Sequence, residues 1–142
     1  MNRLLTLCLL LLSGIQLSAQ FTPSPPTDIE NISLEDKSWI MSKGFPLTDY
    51  DYKDVSINHE LSTALFDQKQ GTLFANAGWI GMGLGVLLLF TPSDVDIDRS
   101  TIRTAYGVML IGGATLNLVG RSKQSKAKKR VENARFLFYN KK

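Results

Sequence analysis

Three apolar stretches interrupt an otherwise polar chain of 142 residues, at positions 4–19, 72–90 and 104–120. The last two carry no formal charge, and as helices they would extend about 25–29 Å, close to the roughly 30 Å of a bilayer's hydrocarbon core. Residues 91–103 form a short polar connection between them. The pattern predicts an all-α membrane protein built on an antiparallel transmembrane helical hairpin over residues 71–120. The alternative is a buried helical pair in a soluble protein, although the chain has little other apolar sequence to surround one.

The first apolar stretch has the layout of a signal peptide. Arg3 precedes an apolar run at residues 4–12, and a more polar segment leads to the small residue Ala19. The run is short for a membrane span, so residues 1–19 are predicted to be a secretory signal peptide cleaved after Ala19. An uncleaved anchor is the alternative. The only cysteine, Cys8, lies in this segment, so the processed chain would contain no thiol and no disulfide.

Residues 20–70 are predicted to be an acidic extramembrane segment with short helices. It opens with the Pro-rich sequence "FTPSPPTDIEN", which favours an extended linker. Ser33 and Gly44 are start and stop signals for a short helix over residues 34–43. A second helix, expected to run directly into the first span, is indicated by the helical spacing of Ile57, Leu61, Ala64 and Leu65.

Charge divides the chain after Gly120. Residues 20–120 contain six basic and twelve acidic side chains, whereas residues 121–142 contain nine basic side chains and one acidic. Ala127 begins an apolar stripe in this basic tail, which therefore predicts an amphipathic helix lying on a membrane surface or docking on a partner. The expected contact residues are Lys126, Lys128, Lys129, Arg130, Val131, Ala134 and Phe138.

Small residues recur along both predicted spans. In lipid, helices associate by close backbone approach rather than by hiding apolar side chains, and small residues permit that approach. The pattern therefore predicts tight packing of a small-residue face, against the other span or against another copy. The residues of this face are Ala77, Gly78, Gly81, Gly83 and Gly85 in the first span, and Gly112, Gly113 and Gly120 in the second. The simpler interpretation is that glycine is common in membrane helices.

Folding the hairpin about its connection places Asn76 near Asn117 or Leu118, at the same depth. Two facing amides would hydrogen-bond and set the register of the helices, contributing about 1 kcal/mol. Alternatively, each amide lies near the interface and contacts water or headgroups.

The predicted location rests on two signals that disagree. Two spans put residues 20–71 and the tail on the same side of the membrane. A cleaved signal peptide makes that side extracytoplasmic, whereas the basic tail favours the cytoplasm. The signal peptide is complete and acts first, so the extracytoplasmic side is expected. Docking of the tail on anionic lipid, or on the acidic residues of the same side, would relieve the conflict. These acidic residues are Asp49, Asp51, Asp54, Glu60 and Asp67.

Catalytic and metal-binding patterns are weak in this chain. The sequence "HELST" begins with the single histidine, His59, but Thr63 replaces the second zinc ligand of a metalloprotease helix. In "DVDID" the alternating aspartates from Asp94 resemble half a calcium loop, which Arg99 and Ala105 then depart from. No catalytic residues, cofactor or metal are therefore expected. The basic "KAKKR" is expected to contact lipid or another envelope polyanion and not nucleic acid.

The latter half, from "DQKQGTLFANAGWIGMG" through "YGVMLIGGATLNLVG" to "VENARFLFYNKK", resembles a loose group of small uncharacterised bacterial exported membrane proteins. In that group a Gly-rich hairpin is followed by a basic helix ending in a Tyr-Asn pair. Tyr139 and Asn140 occupy that ending here, and Ala134 the small position before it. The resemblance covers about half the chain and implies a bacterial envelope protein, without implying an activity.

These patterns lead to two functional hypotheses. The first is a non-catalytic structural or interaction subunit of a bacterial cell envelope, anchored by the Gly-packed hairpin. Its contacts would be membrane lipids, together with a protein partner or a further copy bound through the hairpin. The alternative is a small pore-forming or membrane-permeabilising homo-oligomer, in which the small-residue face packs copies around an axis.

Overall fold

The computed structural model describes residues 29–90 and 99–141 of the chain. Helix α1 spans Leu34–Ser42, a 3₁₀ turn spans Leu47–Asp49, and two long helices follow, α2 at Val55–Leu89 and α3 at Arg99–Asn140. The two long helices pack antiparallel, which confirms the predicted all-α hairpin and its short N-terminal helix. The predicted signal peptide and the aspartates of "DVDID" lie outside the described residues.

Helix α3 begins earlier than the sequence pattern predicted, whereas α2 follows the prediction. The expected second helix and the first span are one continuous helix, α2, as anticipated. The predicted loop at residues 91–103 is wrong at its end, because α3 already begins at Arg99 and continues through the tail. No proline or glycine occurs between Arg99 and Tyr106, and Thr104 Oγ1 donates to the Ser100 carbonyl at 2.9 Å within the helix. Nothing in this segment therefore interrupts the helix.

Local side chains explain where the helices begin and end. The Ser33 hydroxyl accepts a hydrogen bond from the Asp36 amide at 3.1 Å and caps α1. Gly44 follows α1 with φ +84°, a left-handed conformation that glycine adopts without a Cβ penalty. Asp54 precedes α2, and its Oδ1 accepts from the amides of Ser56 at 2.9 Å and Ile57 at 3.2 Å. This second cap fixes the first turn of α2.

The chain divides into two compact units, and each long helix contributes one segment to each unit. The first, here called the hairpin unit, contains the described residues 73–90 and 99–120. The second, here called the bundle unit, contains the described residues 29–72 and 121–141. The hairpin unit begins at residue 73 and ends at residue 120, close to the predicted hairpin limits of residues 71 and 120.

The bundle unit has an apolar core. Along α3 its buried positions follow a spacing of four, three and four residues, which places them on one face of the helix. These side chains are Ala127, Val131, Ala134 and Phe138. Val131, Ala134 and Phe138 share the core with α2 residues Ile57, Leu61, Ala64 and Leu65, and with Ile29, Ile40, Phe45, Leu47 and Tyr50. The predicted apolar stripe of the tail is therefore internal to this unit.

Candidate functional site

The hairpin unit is held by a direct backbone contact between two glycines. A Cβ built on Gly78 would lie 2.5 Å from the Gly113 carbonyl oxygen and 2.6 Å from the Asn117 amide nitrogen. A Cβ on Gly113 would lie 2.7 Å from the Gly78 carbonyl oxygen and 2.8 Å from the Met82 amide nitrogen. Real Cβ atoms do not approach backbone this closely. Both positions therefore require glycine at this helix separation.

Two further glycines lie along the same contact with more room. A Cβ on Gly81 would lie 3.4 Å from the Gly113 Cα, and one on Gly85 would lie 3.3 Å from the Met109 Cβ. The structure thus brings Gly78, Gly81, Gly85 and Gly113 of the predicted packing face together. The first three face α3 from successive turns of α2.

Two other glycines of the predicted face lie outside this contact. A Cβ on Gly83 or on Gly112 would meet nothing within 4 Å, so both glycines point away from the helix contact. Ala77 is half-buried and Gly120 is buried. Adjacent residues of a helix differ by about 100° around its axis, so only one of Gly112 and Gly113 can face α2.

The two predicted polar residues of the hairpin occupy different environments. Asn117 is buried, and its side-chain Nδ2 donates to the Ala75 carbonyl oxygen at 3.3 Å. Asn76, one residue further along α2, is exposed. The structure therefore brings Asn117 to the backbone of α2 and does not bring the two amides together.

Large apolar side chains of the hairpin unit point outward. Trp79 is 60% exposed and Ile111 is 72% exposed. Other exposed side chains of this kind are Ile80, Leu84, Val86, Leu87, Leu89, Phe90, Val108, Leu118 and Val119. Both long helices contain a window long and apolar enough to cross a membrane, with only 11% and 17% of the two windows buried. The four glycines of the contact, Gly78, Gly81, Gly85 and Gly113, thus face inward, and the large apolar side chains face the surroundings.

An ion-paired seam runs along the bundle unit between α2 and α3. Arg130 lies at its centre, with Nη1 3.2 Å from Glu60 Oε2 and Nε 3.3 Å from Asp67 Oδ2. Lys123 Nζ lies 3.8 Å from Asp67 Oδ1, and Lys141 pairs with Asp54 at the other end. Partly exposed pairs of this kind contribute about 0–1 kcal/mol each. The tail therefore docks on acidic residues of the same chain, with its charges opposite theirs.

The predicted lipid- or partner-contact residues fall into two groups. Val131 and Ala134 are fully buried and Phe138 is 8% exposed, so their contacts in this structure are internal. Arg130 is engaged in the seam. The side chains that remain exposed are Lys126, Lys128 and Lys129.

A tyrosine-centred network lies between the 3₁₀ turn and α2. The Tyr50 hydroxyl is 2.8 Å from Asn58 Oδ1 and 2.9 Å from the Asp54 carbonyl oxygen, both of which accept hydrogen bonds. Asn58 Nδ2 in turn donates to the Tyr52 carbonyl at 2.7 Å, and Tyr52 has the unusual φ of +59°. Neither tyrosine was identified from the sequence pattern. The signal available in the sequence for this network was a tyrosine placed four residues before the aspartate that caps α2.

Two pKa shifts belong to this network. Burial, reinforced by the charge of Asp54, raises the pKa of Tyr50 from 10.0 to about 12. The hydrogen bond from Lys141 lowers the pKa of the Asp54 carboxyl, and the amides of the α2 cap act in the same direction. The folded unit therefore favours a neutral Tyr50 and an ionised Asp54.

We expect the bundle unit to lose stability in alkali because of Tyr50. A raised pKa contributes stability that is fully present below the unfolded value, about 10, and that disappears as pH rises toward 12. Denaturant unfolding in detergent micelles, followed by circular dichroism, measures this dependence. Tyr50→Phe should flatten it, whereas the control Tyr139→Phe, at an exposed position, should leave it unchanged. If the parent and Tyr50→Phe lose the same amount of stability at alkaline pH, groups other than Tyr50 cause the loss.

His59 is exposed on α2. Among the described residues, no group of His, Cys, Asp and Glu side chains has an arrangement that could hold a metal ion. No family model, curated protein or solved structure matches the chain.

Proposed function

We propose that the chain is a non-catalytic structural or interaction subunit of a bacterial cell envelope, anchored in the membrane by its two-helix hairpin. The observation that carries this proposal is that the hairpin unit has glycines at its helix contact and large apolar side chains on its outer surface. Gly78 and Gly113 make the helix contact, while Trp79 and Ile111 point outward. In water a helical pair gains stability by burying its largest apolar side chains, whereas in lipid it gains by close backbone packing.

The bundle unit supplies the interaction part of the proposal. Its helices are joined by an apolar core and by the Arg130 seam, so the acidic segment and the basic tail act as one folded unit. By chain connectivity, both of its segments leave the hairpin on the same side of the membrane. The predicted signal peptide makes that side extracytoplasmic. The resemblance to small exported bacterial proteins supports the same location.

Fractionation tests the membrane anchor. We expect the processed chain to remain with the membrane pellet after an alkaline carbonate wash and to enter solution only with detergent. Single cysteines at Ser33, Ser93 and Ser125 then report sidedness, because Cys8 is the only native cysteine. Ser33 and Ser125 should react with an impermeant thiol reagent from outside, and Ser93 should not. A chain that stays in the aqueous fraction without detergent would overturn the anchor, and the reverse labelling pattern would place both segments in the cytoplasm.

The second candidate is a pore-forming or membrane-permeabilising homo-oligomer. Gly83 and Gly112 favour it, because both point away from the hairpin contact and leave room for a further copy to approach. Chemical crosslinking in lipid nanodiscs separates the two functions. A monomer, or a complex with another protein, supports the subunit, whereas a ring of identical chains supports the pore.

A further inference from the structure

Basic side chains concentrate where the bundle unit adjoins the apolar stretches along the chain. Helix segments 61–72 and 121–130 together contain seven Lys or Arg residues and one acidic residue, Asp67. Three of these cations are paired within the unit: Lys69 with Asp36 at 2.7 Å, Lys123 with Asp67, and Arg130 with Glu60 and Asp67. The other four are exposed, and in the described part of the chain they form no ion pair. They are Arg121, Lys126, Lys128 and Lys129.

These four cations follow the second apolar stretch immediately. All lie within nine residues of Gly120 on the same continuous helix, α3. The only other side chains on the exposed face of this segment are Ser122 and Ser125, and α3 carries no acidic residue before Glu132. The positive charge of this surface is therefore not neutralised by its own helix.

We infer that Arg121, Lys126, Lys128 and Lys129 form a binding surface for the headgroups of anionic phospholipids in the leaflet that adjoins them. A basic cluster directly beside a membrane span attracts anionic lipid with an energy that grows with each cation and decays within a Debye length. The ion-paired seam supports this choice. Lys123 and Arg130 are already paired with acidic residues of the bundle unit, so the four exposed cations are the ones that can bind an external anion. The inference rests on the proposed membrane anchor.

A tryptophan placed at the base of the cluster reports which lipids gather there. Leu118 is 68% exposed and lies three residues before Arg121 in the sequence. The reporter chain carries Leu118→Trp, with Trp39→Phe and Trp79→Phe to remove the native tryptophans. It is reconstituted in phosphatidylcholine vesicles containing the same mole fraction of either brominated phosphatidylcholine or brominated phosphatidylglycerol, and the quenching of its fluorescence is compared.

We expect brominated phosphatidylglycerol to quench the reporter more strongly, with a preference that decreases as salt is added. The triple variant Lys126→Gln, Lys128→Gln, Lys129→Gln should reduce the relative binding constant for phosphatidylglycerol roughly tenfold. The matched control Lys37→Gln, Lys43→Gln, Lys53→Gln removes the same charge from outside the long helices and should retain the parent preference.

The outcomes separate this inference from the proposed function. Equal quenching by the two brominated lipids overturns the headgroup surface while leaving the membrane anchor intact, and it would direct attention to an acidic protein segment as the occupant. Loss of preference in the control variant overturns the surface as well, since general charge would then explain the effect. Absence of quenching by either lipid overturns the anchor itself.

Discussion

Replacing Gly78 or Gly113 by alanine is expected to separate the two helices of the hairpin unit. The added methyl group would lie 2.5–2.8 Å from backbone oxygen and nitrogen atoms of the partner helix, which cannot rotate away as a side chain would. The helices must move apart, and every close contact along the interface then weakens. We expect each substitution to lower the free energy of unfolding by about 3 kcal/mol, the upper end of the usual range for overpacked sites.

The same substitution at outward-facing glycines provides the control. Gly83→Ala and Gly112→Ala add a methyl group where nothing lies within 4 Å. Alanine favours a helix over glycine by up to about 1 kcal/mol, so these variants should be neutral or slightly more stable. Titration of the purified chain from a mild into a denaturing detergent, followed by circular dichroism, measures the difference. If Gly112→Ala destabilises the chain as much as Gly113→Ala, the hairpin contact is not the one described.

The difference between the inward-facing and outward-facing glycines shows which features of the hairpin could be predicted from the sequence. The spacing of small residues predicted close packing. Folding the chain about its loop predicted that Asn117 lies near Asn76, and in the structure Asn117 donates to the carbonyl of the adjacent residue, Ala75. The rotation of each helix could not be predicted, because both Gly112 and Gly113 are small and differ by about 100° around the axis. Periodicity shows which residues share a face. It does not show which of several small faces meets the neighbouring helix.

The tail shows a related limit. Its apolar stripe was predicted from spacing alone, and the buried residues of α3 in the bundle unit follow that stripe. The partner of the stripe was left open between lipid, another protein and the acidic segment, since an amphipathic pattern specifies a face and not its occupant. The opposite charges of Arg130 and Glu60 were available in the sequence. They became informative only once the antiparallel pairing of α2 and α3 placed them 3.2 Å apart.

The docked tail accounts for how an apolar stripe and a strongly basic composition coexist in one helix. The stripe is enclosed by the core, and cations on one flank meet Asp54, Glu60 and Asp67. Cations on the remaining surface stay available to an external anion. The tail is therefore a structural element of the bundle unit first, and its exposed face alone is free to bind.

Introducing a carboxylate on the buried face of the tail should release it from the bundle unit. Val131 is fully buried in the core that α3 shares with α2, and the adjacent cation, Arg130, is already paired with Glu60 and Asp67. Val131→Asp would place an unpaired charge in the core, which costs roughly 3–5 kcal/mol when no cation or hydrogen-bond donor compensates it. Because that cost is comparable to the stability of a small folded unit, we expect the tail to detach from the acidic segment.

Limited proteolysis with trypsin measures this release, because the tail contains many Lys and Arg residues that are cleaved slowly while it is docked. The matched control is Asn133→Asp, which introduces the same side chain two residues away at an exposed position. Val131→Asp should raise the cleavage rate in residues 121–135 at least roughly tenfold, in proportion to the population of the open state, whereas Asn133→Asp should leave it near the parent value. Equal rates for the two variants would mean that the tail is not held by its apolar face. The seam alone would then have to hold it, and in that case the parent rate should increase steeply with salt.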